Sequence, residues 1–207
     1  MSRNARSKLQ EDTGQTKQRD KQRRKPDERV RRTCERLGSA LVTLIQEKPI
    51  DDVTVQDVLD RASVGRSTFY LHYRDKDDLL LGQFEKFLET MSTALSIRKE
   101  ESHRVVPMAE MFEHIGSQKK LYRRLADGGR LEGFFELAQG YFARGIEQRL
   151  RESKRLSSVP KGELAARATA LAGSVLSLLR WWLDRGAKES PRAMDELFHR
   201  MVWNGLQ

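Results

Sequence analysis

Residues 54–81 read TVQDVLDRASVGRSTFYLHYRDKDDLLL, and this stretch decides the fold. Thr54 followed by Asp57 three residues later is the pattern of a capping box, which predicts the start of a short helix. The apolar side of that helix consists of Val55, Val58, Leu59 and Ala62.

The chain breaks tightly at 63–65 and continues in a second short helix over about 65–72. Upstream, the spacing predicts a longer helix over 28–47, which Pro49 ends. Its apolar face holds Val30, Cys34, Leu37, Leu41, Leu44 and Ile45. Downstream, Asp75 predicts the cap of a long fourth helix. Two short helices joined by a tight turn and packed on a longer one are the ingredients of a helix-turn-helix.

The motif Thr-Phe-Tyr-x-His-Tyr at 68–73, followed by Lys-Asp-x-Leu at 76–79, resembles the DNA-binding domain of the tetracycline-repressor (TetR) family of transcriptional regulators. The match runs from about residue 32 to residue 81, and the rest of the chain matches only in helix pattern. Helical spacing without strand-like alternation already predicts an all-α protein. The resemblance implies about nine helices, with a helix-turn-helix domain at 26–75 and a helical effector-binding and dimerisation domain at 76–207.

A recognition helix needs a small N-terminal residue for close approach to the major groove, followed by donors that reach base edges. By the resemblance, Arg66 would make a bidentate guanine contact, and Tyr70 and His72 would reach phosphates or a thymine methyl group. The complete expected DNA-binding set is Thr54, Gly65, Arg66, Ser67, Thr68, Tyr70, His72 and Lys76. The alternatives are a solvated Arg66 and packing roles for Tyr70 and His72.

Two further expectations concern packing around the recognition helix. Phe69, with Leu71 or Tyr73, would be the apolar wedge that fixes this helix against its neighbours. Many relatives have glycine before the valine and serine after it, whereas this chain has Ser63 and Gly65 in those places. We therefore expect Ser63 to cap the recognition helix and Gly65 to offer only its backbone N–H group.

The charge of the chain points to a polyanionic partner. It has 39 Lys and Arg against 30 Asp and Glu, for a net charge of +9. Residues 1–25 contain nine basic and three acidic residues and few apolar ones, so we expect a disordered basic arm. The arm is either a solubilising leader or a source of additional phosphate contacts.

Other classes of protein are not favoured. The single cysteine, Cys34, indicates a reducing compartment, and we expect a cytoplasmic protein. The most apolar stretch, around 171–183, is interrupted by Gly173 and Arg180, so no membrane partner is expected. No nucleophile elbow, zinc-type cluster or glycine-rich nucleotide loop is present in the sequence, so we expect neither an enzyme nor a bound metal or cofactor.

The second half of the chain predicts five more helices, near 105–117, 118–126, 129–153, 161–187 and 190–205. In the last of them, Ser190 is the expected cap and Pro191 the first helical residue. The last two helices would form a four-helix bundle with a second copy. The expected dimerisation residues are Val175, Leu179, Trp182, Met194, Leu197, Phe198 and Met201. The alternative is that these residues complete the core of the monomer.

Apolar residues of the middle helices could line a pocket for a small apolar effector, or they could be core. The candidate ligand-binding residues are Met111, Phe112, His114, Ile115, Phe135 and Tyr141. The favoured function is a homodimeric, sequence-specific regulator of a palindromic operator, a repressor released by a small molecule. The alternatives are a DNA-binding helical adaptor that responds to a protein partner and a non-specific binder driven by the basic arm.

Overall fold

A computed structural model describes residues 28–97 and 103–205, and in these residues every regular element is helical. The first helix, α1, spans 28–47. The others are α2 (Val55–Ala62), α3 (Arg66–Tyr70), α4 (Lys76–Ile97), α5 (Met108–Ser117), α6 (Lys119–Asp127), α7 (Leu131–Glu152), α8 (Lys161–Asp184) and α9 (Pro191–Gly205). Short 3-10 turns lie at Ile50–Asp52 and Lys154–Leu156. The predicted all-α class is therefore confirmed.

Local sequence signals account for both ends of α2. The Thr54 hydroxyl accepts a hydrogen bond from the Asp57 N–H at 3.1 Å, and the Asp57 carboxylate accepts one from the Thr54 N–H at 2.8 Å. The predicted capping box is therefore present. At the other end, Ser63 adopts a left-handed conformation with φ of 50°. The Arg36 guanidinium donates to the carbonyls of Ala62 and Ser63, which satisfies groups that a helix C-terminus leaves unpaired.

The short helix α3 begins without a side-chain cap. Gly65 is its N-cap residue, and the predicted capping by Ser63 is wrong because Ser63 lies at the C-cap of α2. α3 ends at Tyr70, two residues before the predicted end. The Asp75 carboxylate accepts a hydrogen bond from the Asp78 N–H at 2.8 Å, as its predicted role as the cap of α4 requires.

α1 and α4 approach each other closely beside the helix-turn-helix. A Cβ atom at Gly38 of α1 would overlap the end of the Gln83 side chain of α4, so a larger residue there would require this side chain to move. The predicted apolar face of α1 is buried only from Leu37 onward. Val30 is 43% exposed, because residues 28–32 lie outside the packed core, and Cys34 is only partly buried.

The second half packs as helix pairs. α7 lies along both α8 and α4, and α9 lies on α5. Trp182 of α8 is buried with its ring 4.8 Å from that of Phe112, and its indole N–H donates to the Glu189 carbonyl at 2.8 Å. This bond ties the end of α8 to the turn that leads into α9.

A buried polar group joins the segment before α5 to α9. The Arg104 guanidinium contacts Asp195 at 3.0 Å, and the Ala109 N–H donates to the same carboxylate oxygen at 3.0 Å. The Val105 N–H donates to His199 Nε2 at 3.1 Å. The Asp195 carboxylate and the His199 ring therefore have hydrogen-bond partners inside an otherwise apolar region.

The five helices predicted for the second half are present with small changes at their ends. α5 starts at Met108 rather than near 105, immediately after Pro107. α8 ends at Asp184 because Gly186 and Ala187 adopt positive φ. The predicted cap of α9 is present, since the Ser190 hydroxyl accepts a hydrogen bond from the Ala193 N–H at 3.2 Å.

Buried side chains from both halves form one continuous core. The predicted division at 75/76 falls at the start of α4, a helix that packs against both halves, and it stays a prediction. The predicted arm at 1–25 lies outside the described residues. Within the described residues, no helix is both long enough and apolar enough to cross a membrane.

Replacing Asp57 with asparagine should remove the part of the folding stability that depends on ionisation of this carboxyl group. Hydrogen bonds from the Lys48 ammonium, at 2.9 Å, and from Thr54 hold the pKa of Asp57 well below its ordinary value of 3.8. A lowered pKa means that the ionised carboxylate stabilises the fold fully above about pH 4 and less as the pH falls toward its folded pKa. We expect Asp57→Asn to unfold at a lower temperature than wild type at pH 7, with the difference shrinking toward pH 2.

Thermal unfolding followed by circular dichroism at several pH values measures this effect. Asp52→Asn, which changes an exposed acid in the preceding turn, is the matched control. A difference between wild type and Asp57→Asn that stays constant from pH 7 to pH 2 would contradict the assignment.

Candidate DNA-binding surface and effector cleft

Phe69 anchors the recognition helix α3. Its side chain is fully buried, and its ring lies 5.3 Å from that of Tyr70 and 5.9 Å from that of Tyr73. Tyr73 is partly buried and packs against the core, whereas Leu71 is 79% exposed. The wedge therefore consists of Phe69 and Tyr73, and the prediction of Leu71 in that role is wrong.

Away from Phe69, α3 is open to solvent. Arg66 and Ser67 are exposed, Tyr70 is 51% exposed, and Thr68 is partly buried. His72 is also partly buried, with its ring edge-on to Tyr73 at 6.4 Å. The expected base-reading residues thus share an accessible surface, with His72 at its margin.

Arg66 is held by a neutral side chain rather than by a carboxylate. Its Nη2 donates to Gln56 Oε1 of α2 at 2.7 Å, and Gln56 Nε2 donates to Asp60 Oδ1 at 2.7 Å. The neighbouring Arg61, by contrast, forms a bidentate pair with Glu47 at 2.8 and 2.9 Å. The charge of Arg66 is therefore not cancelled by a carboxylate among the described residues.

Thr54 and Gly65 lie at the N-termini of the two short helices. The Thr54 hydroxyl is already engaged with Asp57, to which it donates at 2.7 Å, so a phosphate contact here would come from the free N–H groups of the first turn of α2. Gly65 is exposed with φ of −70°, and a Cβ atom there would meet only Thr68 Oγ1 at 4.0 Å. Its backbone is therefore accessible from the solvent side.

Lys76 has a structural role that the sequence did not predict. Its ammonium donates to the carbonyls of Ile50 at 2.6 Å, Val53 at 2.7 Å and Asp51 at 3.3 Å. An ammonium group has three N–H donors, and all three are directed at this turn. The ammonium of Lys76 is thus engaged within the protein, and its expected place in the DNA-binding set stays a prediction.

A cleft of about 550 Å³ lies between α6, the first turns of α7 and the end of α8. It is lined by Lys119, Tyr122, Arg123, Ala126, Asp127, Gly129, Leu131, Glu132, Phe135, Arg180, Leu183, Asp184, Gly186 and Ala187. The Arg180 guanidinium stacks on the Phe135 ring at 4.4 Å and pairs with Glu132 at 3.3 Å. The Tyr122 side chain is almost fully buried, and burial raises the pKa of its hydroxyl.

The cleft differs from the pocket that the sequence predicted. Met111, Phe112 and Ile115 are fully buried in the core and do not line it. His114 stacks on Phe87 with ring centroids 4.6 Å apart, and partial burial lowers its pKa. Tyr141 lies under the Arg144 guanidinium at 4.9 Å. Of the six expected ligand-binding residues, only Phe135 lines this cleft. The described residues contain no group of three or more potential metal ligands.

The expected dimerisation residues divide into two groups. Most are buried within the monomer and cannot contact a second copy: Val175, Leu179, Trp182, Met194 and Phe198. Leu197 and Met201 are 36% and 52% exposed. Trp181, which was not predicted, is 43% exposed on the outer side of α8. Burial of these five residues favours the alternative that they complete the core of the monomer, and the dimerisation role of α8 and α9 stays a prediction.

Arg130, in the turn between α6 and α7, joins the two halves of the molecule. Its Nε bonds Asp77 Oδ1 of α4 at 2.9 Å, and its Nη2 bonds Asp51 Oδ1 of the 3-10 turn at 3.0 Å. Its Nη1 donates to the carbonyl of Gly128, where an added Cβ atom would lie 2.7 Å from Ile50 Cγ2.

This junction borders the cleft and reaches the turn that precedes α2. Asp127, Gly129 and Leu131 line the cleft on either side of Arg130, while Asp51 belongs to the turn between α1 and α2. Gly129 adopts a left-handed conformation with φ of 67°. No local sequence pattern around this glycine predicts which distant residues Arg130 contacts.

Comparison with known proteins gives a family match for the DNA-binding region. Residues 39–82 match the model described as bacterial regulatory proteins, tetR family. The matched segment contains α2, α3 and the start of α4, together with the last nine residues of α1. No curated protein matches the chain.

Solved structures resemble the whole described fold. The "Dihydroxyacetone kinase operon activator DhaS" aligns with a TM-score of 0.65 at 14% identity, covering 84% of this chain and 96% of that one. A putative TetR-family transcriptional regulator from Syntrophomonas wolfei aligns with a TM-score of 0.57 at 20% identity, covering 84% and 94%. RolR in complex with resorcinol aligns with a TM-score of 0.56 at 19% identity, covering 85% and 90%. At these identities, the likeness concerns the fold.

Replacing Arg130 with alanine should loosen the junction. Two partly exposed ion pairs contribute about 0.2–1 kcal/mol each, so the melting temperature should fall by about 1–6 °C. Hydrogen exchange of the backbone amides at 50–53 should also become faster, because Asp51 loses its partner. Differential scanning calorimetry and hydrogen exchange followed by mass spectrometry measure the two effects.

Arg167→Ala is the matched control, since Arg167 makes one exposed pair with Glu163 within α8. Arg130→Ala should be the more destabilising of the two. Equal melting temperatures, with unchanged exchange at 50–53, would show that Arg130 does not join the halves.

Proposed function

Because the chain belongs to the TetR family of bacterial regulatory proteins and is a DNA-binding transcriptional regulator, we propose that it acts as a homodimeric repressor of a palindromic operator. The observation that carries this proposal is the geometry of α3. A buried Phe69 fixes the helix, while Arg66, Ser67 and Tyr70 remain accessible on its outer side. Such an arrangement can place side chains against base edges in the major groove.

The recognition surface divides into two chemical roles. Arg66 is the candidate for bidentate hydrogen bonds to guanine O6 and N7. Ser67, Thr68, Tyr70 and the N–H groups at Gly65 and at the start of α2 would bind phosphates or thymine methyl groups and set the position on the duplex. Phosphate contacts supply affinity that depends on salt, whereas the guanine contact supplies base preference.

The outer faces of α8 and α9 support a dimer. On α8, the small residues Ala170 and Ser174 lie in line with Leu178 and Trp181 at helical spacing. On α9, Leu197 and Met201 are the exposed apolar residues one turn apart. Small residues allow close helix approach, and a second copy would remove the exposed Trp181, Leu197 and Met201 from water. A twofold dimer also presents two recognition helices to the half-sites of a palindrome.

The cleft between α6, α7 and α8 is the proposed effector site. It combines the Phe135 ring, Leu131 and Leu183 with polar groups at its edge, which is the usual composition of a small-molecule site. Its walls continue into the turn that carries Arg130. An effector that prefers one arrangement of this turn would shift the equilibrium between DNA-binding states by its difference in affinity for them. Release of the operator would follow.

Selection of bound sequences from a random duplex pool tests the regulator proposal. With the full-length protein at physiological salt, we expect enrichment of an inverted repeat. Arg66→Ala should lose preference at one base pair of each half-site, at a cost of about 1–3 kcal/mol, and keep the other preferences. The selected operator then becomes the probe for small molecules that release it.

Arg192→Ala is the control, because Arg192 lies on α9, far along the chain from the recognition surface, and is highly exposed. It should select the same operator as wild type. Failure of the wild type to enrich any sequence, with binding that disappears at moderate salt, would contradict a sequence-specific regulator and favour a non-specific binder.

A double substitution of Leu197 and Met201 by aspartate should disrupt the dimer. Association would have to bury two carboxylates without partners, which is strongly unfavourable. We expect wild type to elute at twice the monomer mass of 24.0 kDa and the variant at the monomer mass, as measured by size-exclusion chromatography with light scattering.

Arg192→Asp adds a carboxylate to an exposed position elsewhere on α9 and should remain a dimer. Far-UV circular dichroism checks that the double variant is folded. A double variant that keeps the dimer mass would exclude Leu197 and Met201 from the interface.

A further inference from the structure

The hydrogen-bond chain from Asp60 through Gln56 to Arg66 links the two short helices of the recognition unit. Gln56 stands in the first turn of α2 and Arg66 is the first residue of α3. The two bonds, each 2.7 Å, use both ends of the Gln56 amide, since the carbonyl oxygen accepts from Arg66 and the amino group donates to Asp60. Asp60 therefore orients the Gln56 amide, and the amide in turn holds Arg66.

The neutral amide separates Arg66 from the carboxylate of Asp60. A direct ion pair would hold the guanidinium against α2 and cancel its charge, as the pair between Arg61 and Glu47 does nearby. An amide oxygen accepts one hydrogen bond and leaves the charge of Arg66 available to an anionic partner. Arg61 and Arg66 are both exposed arginines of the same domain, yet only Arg61 has a carboxylate partner among the described residues.

The geometry also leaves Arg66 able to read a base. A guanidinium has five N–H donors, and the bond to Gln56 uses one of them. Two of the others are enough for the bidentate contact with guanine O6 and N7. A long arginine side chain otherwise samples many rotamers, so a partner that restricts it reduces the entropy lost when the contact with DNA forms.

We infer that Gln56 is a positioning residue that sets the base preference of Arg66 without itself supplying that preference. This inference rests on the proposed function, because it requires that Arg66 read a base. Asp60 supports Gln56, and Gln56 holds the guanidinium of Arg66 in the orientation that meets guanine. One base pair is therefore read by a unit of three side chains, those of Asp60 and Gln56 on α2 and Arg66 on α3.

Equilibrium binding of full-length variants to the selected operator tests the inference. The duplex set contains the operator, operators with each base pair of the half-site replaced in turn, and a random duplex, all at one salt concentration. The base pair at which Arg66→Ala loses its preference defines the position that Arg66 reads. Fluorescence anisotropy gives Kd for each duplex.

Gln56→Ala should lower discrimination at that one base pair by about 3- to 10-fold, the effect expected for one lost hydrogen bond. Its Kd for random duplex and its melting temperature should match those of wild type. The double variant Gln56→Ala with Arg66→Ala should discriminate no worse than Arg66→Ala alone, because residues that act as one unit are not additive. Gln56→Glu should weaken operator binding more than Gln56→Ala, since a carboxylate would pair with Arg66 and repel phosphates.

Gln148→Ala is the matched control, because Gln148 makes the same type of bond to a carboxylate four residues later, on α7. It should leave every Kd unchanged. Gln56 is not a positioning residue if Gln56→Ala discriminates between base pairs as well as wild type does. The same conclusion follows if the double variant loses the sum of the discrimination that the two single variants lose. If wild type itself shows no preference among the duplexes, the proposed function fails, and this is a different result from an unchanged Gln56→Ala.

Discussion

The burial of Phe69 is the constraint on which the recognition surface depends. α3 has five residues, and an isolated helix of that length is not stable in water, so its shape and direction come from packing. Phe69 is fully buried and Tyr73 packs beside it, which fixes both the rotation of α3 and the start of the link to α4. Since successive residues of a helix differ by about 100° in direction, an inward Phe69 turns Ser67, about 200° away, toward solvent and places Tyr70 about 100° to the side, while Arg66 reaches solvent from the first position of α3.

Positively charged side chains that contact distant segments of the chain hold the rest of this domain in place. Arg36 closes the end of α2, Lys76 closes the turn at 50–53, and Arg130 connects that turn to the second half. Each binds carbonyls or carboxylates of a segment distant in the chain. Arg66 differs because its described partner is an amide. An arginine thus stabilises the fold where it contacts a carboxylate or several carbonyls. It remains available for DNA where, like Arg66, it contacts neither.

Much of this structure could be predicted from residues whose effect is local. The capping box at Thr54 and Asp57, the cap at Asp75 and the Ser190–Pro191 start of α9 depend on neighbours three residues away, and all three are present. The ends of helices were predicted less well, since Ser63 and Gly65 both fit a cap and only packing decides between them. Lys76 shows the same limit, because its carbonyl partners lie 23 to 26 residues away in the sequence.

Trp181 and Trp182 show why the exposed face of α8 could not be predicted from the sequence. They are adjacent and chemically identical, yet one is 43% exposed and the other 1%. Helical periodicity defines an apolar stripe, and both tryptophans lie near its edges on a helix that is apolar over much of its surface. Which part of the stripe faces α5 and α7 depends on the path of those helices, and this is not a local property of the sequence.

Arg130 connects the proposed effector cleft with the turn before α2 and with the start of α4. The turn at 127–131 lines the cleft with its flanking residues and reaches Asp51 and Asp77 with its arginine. Asp77 lies in the first turn of α4, next to Lys76, which in turn holds the loop before α2. A displacement of α6 by a bound molecule would therefore act on two points of the DNA-binding domain at once. In the proposed dimer, a connection at two points would turn this region as a unit, which would change the separation of the two recognition helices while leaving each reading surface intact.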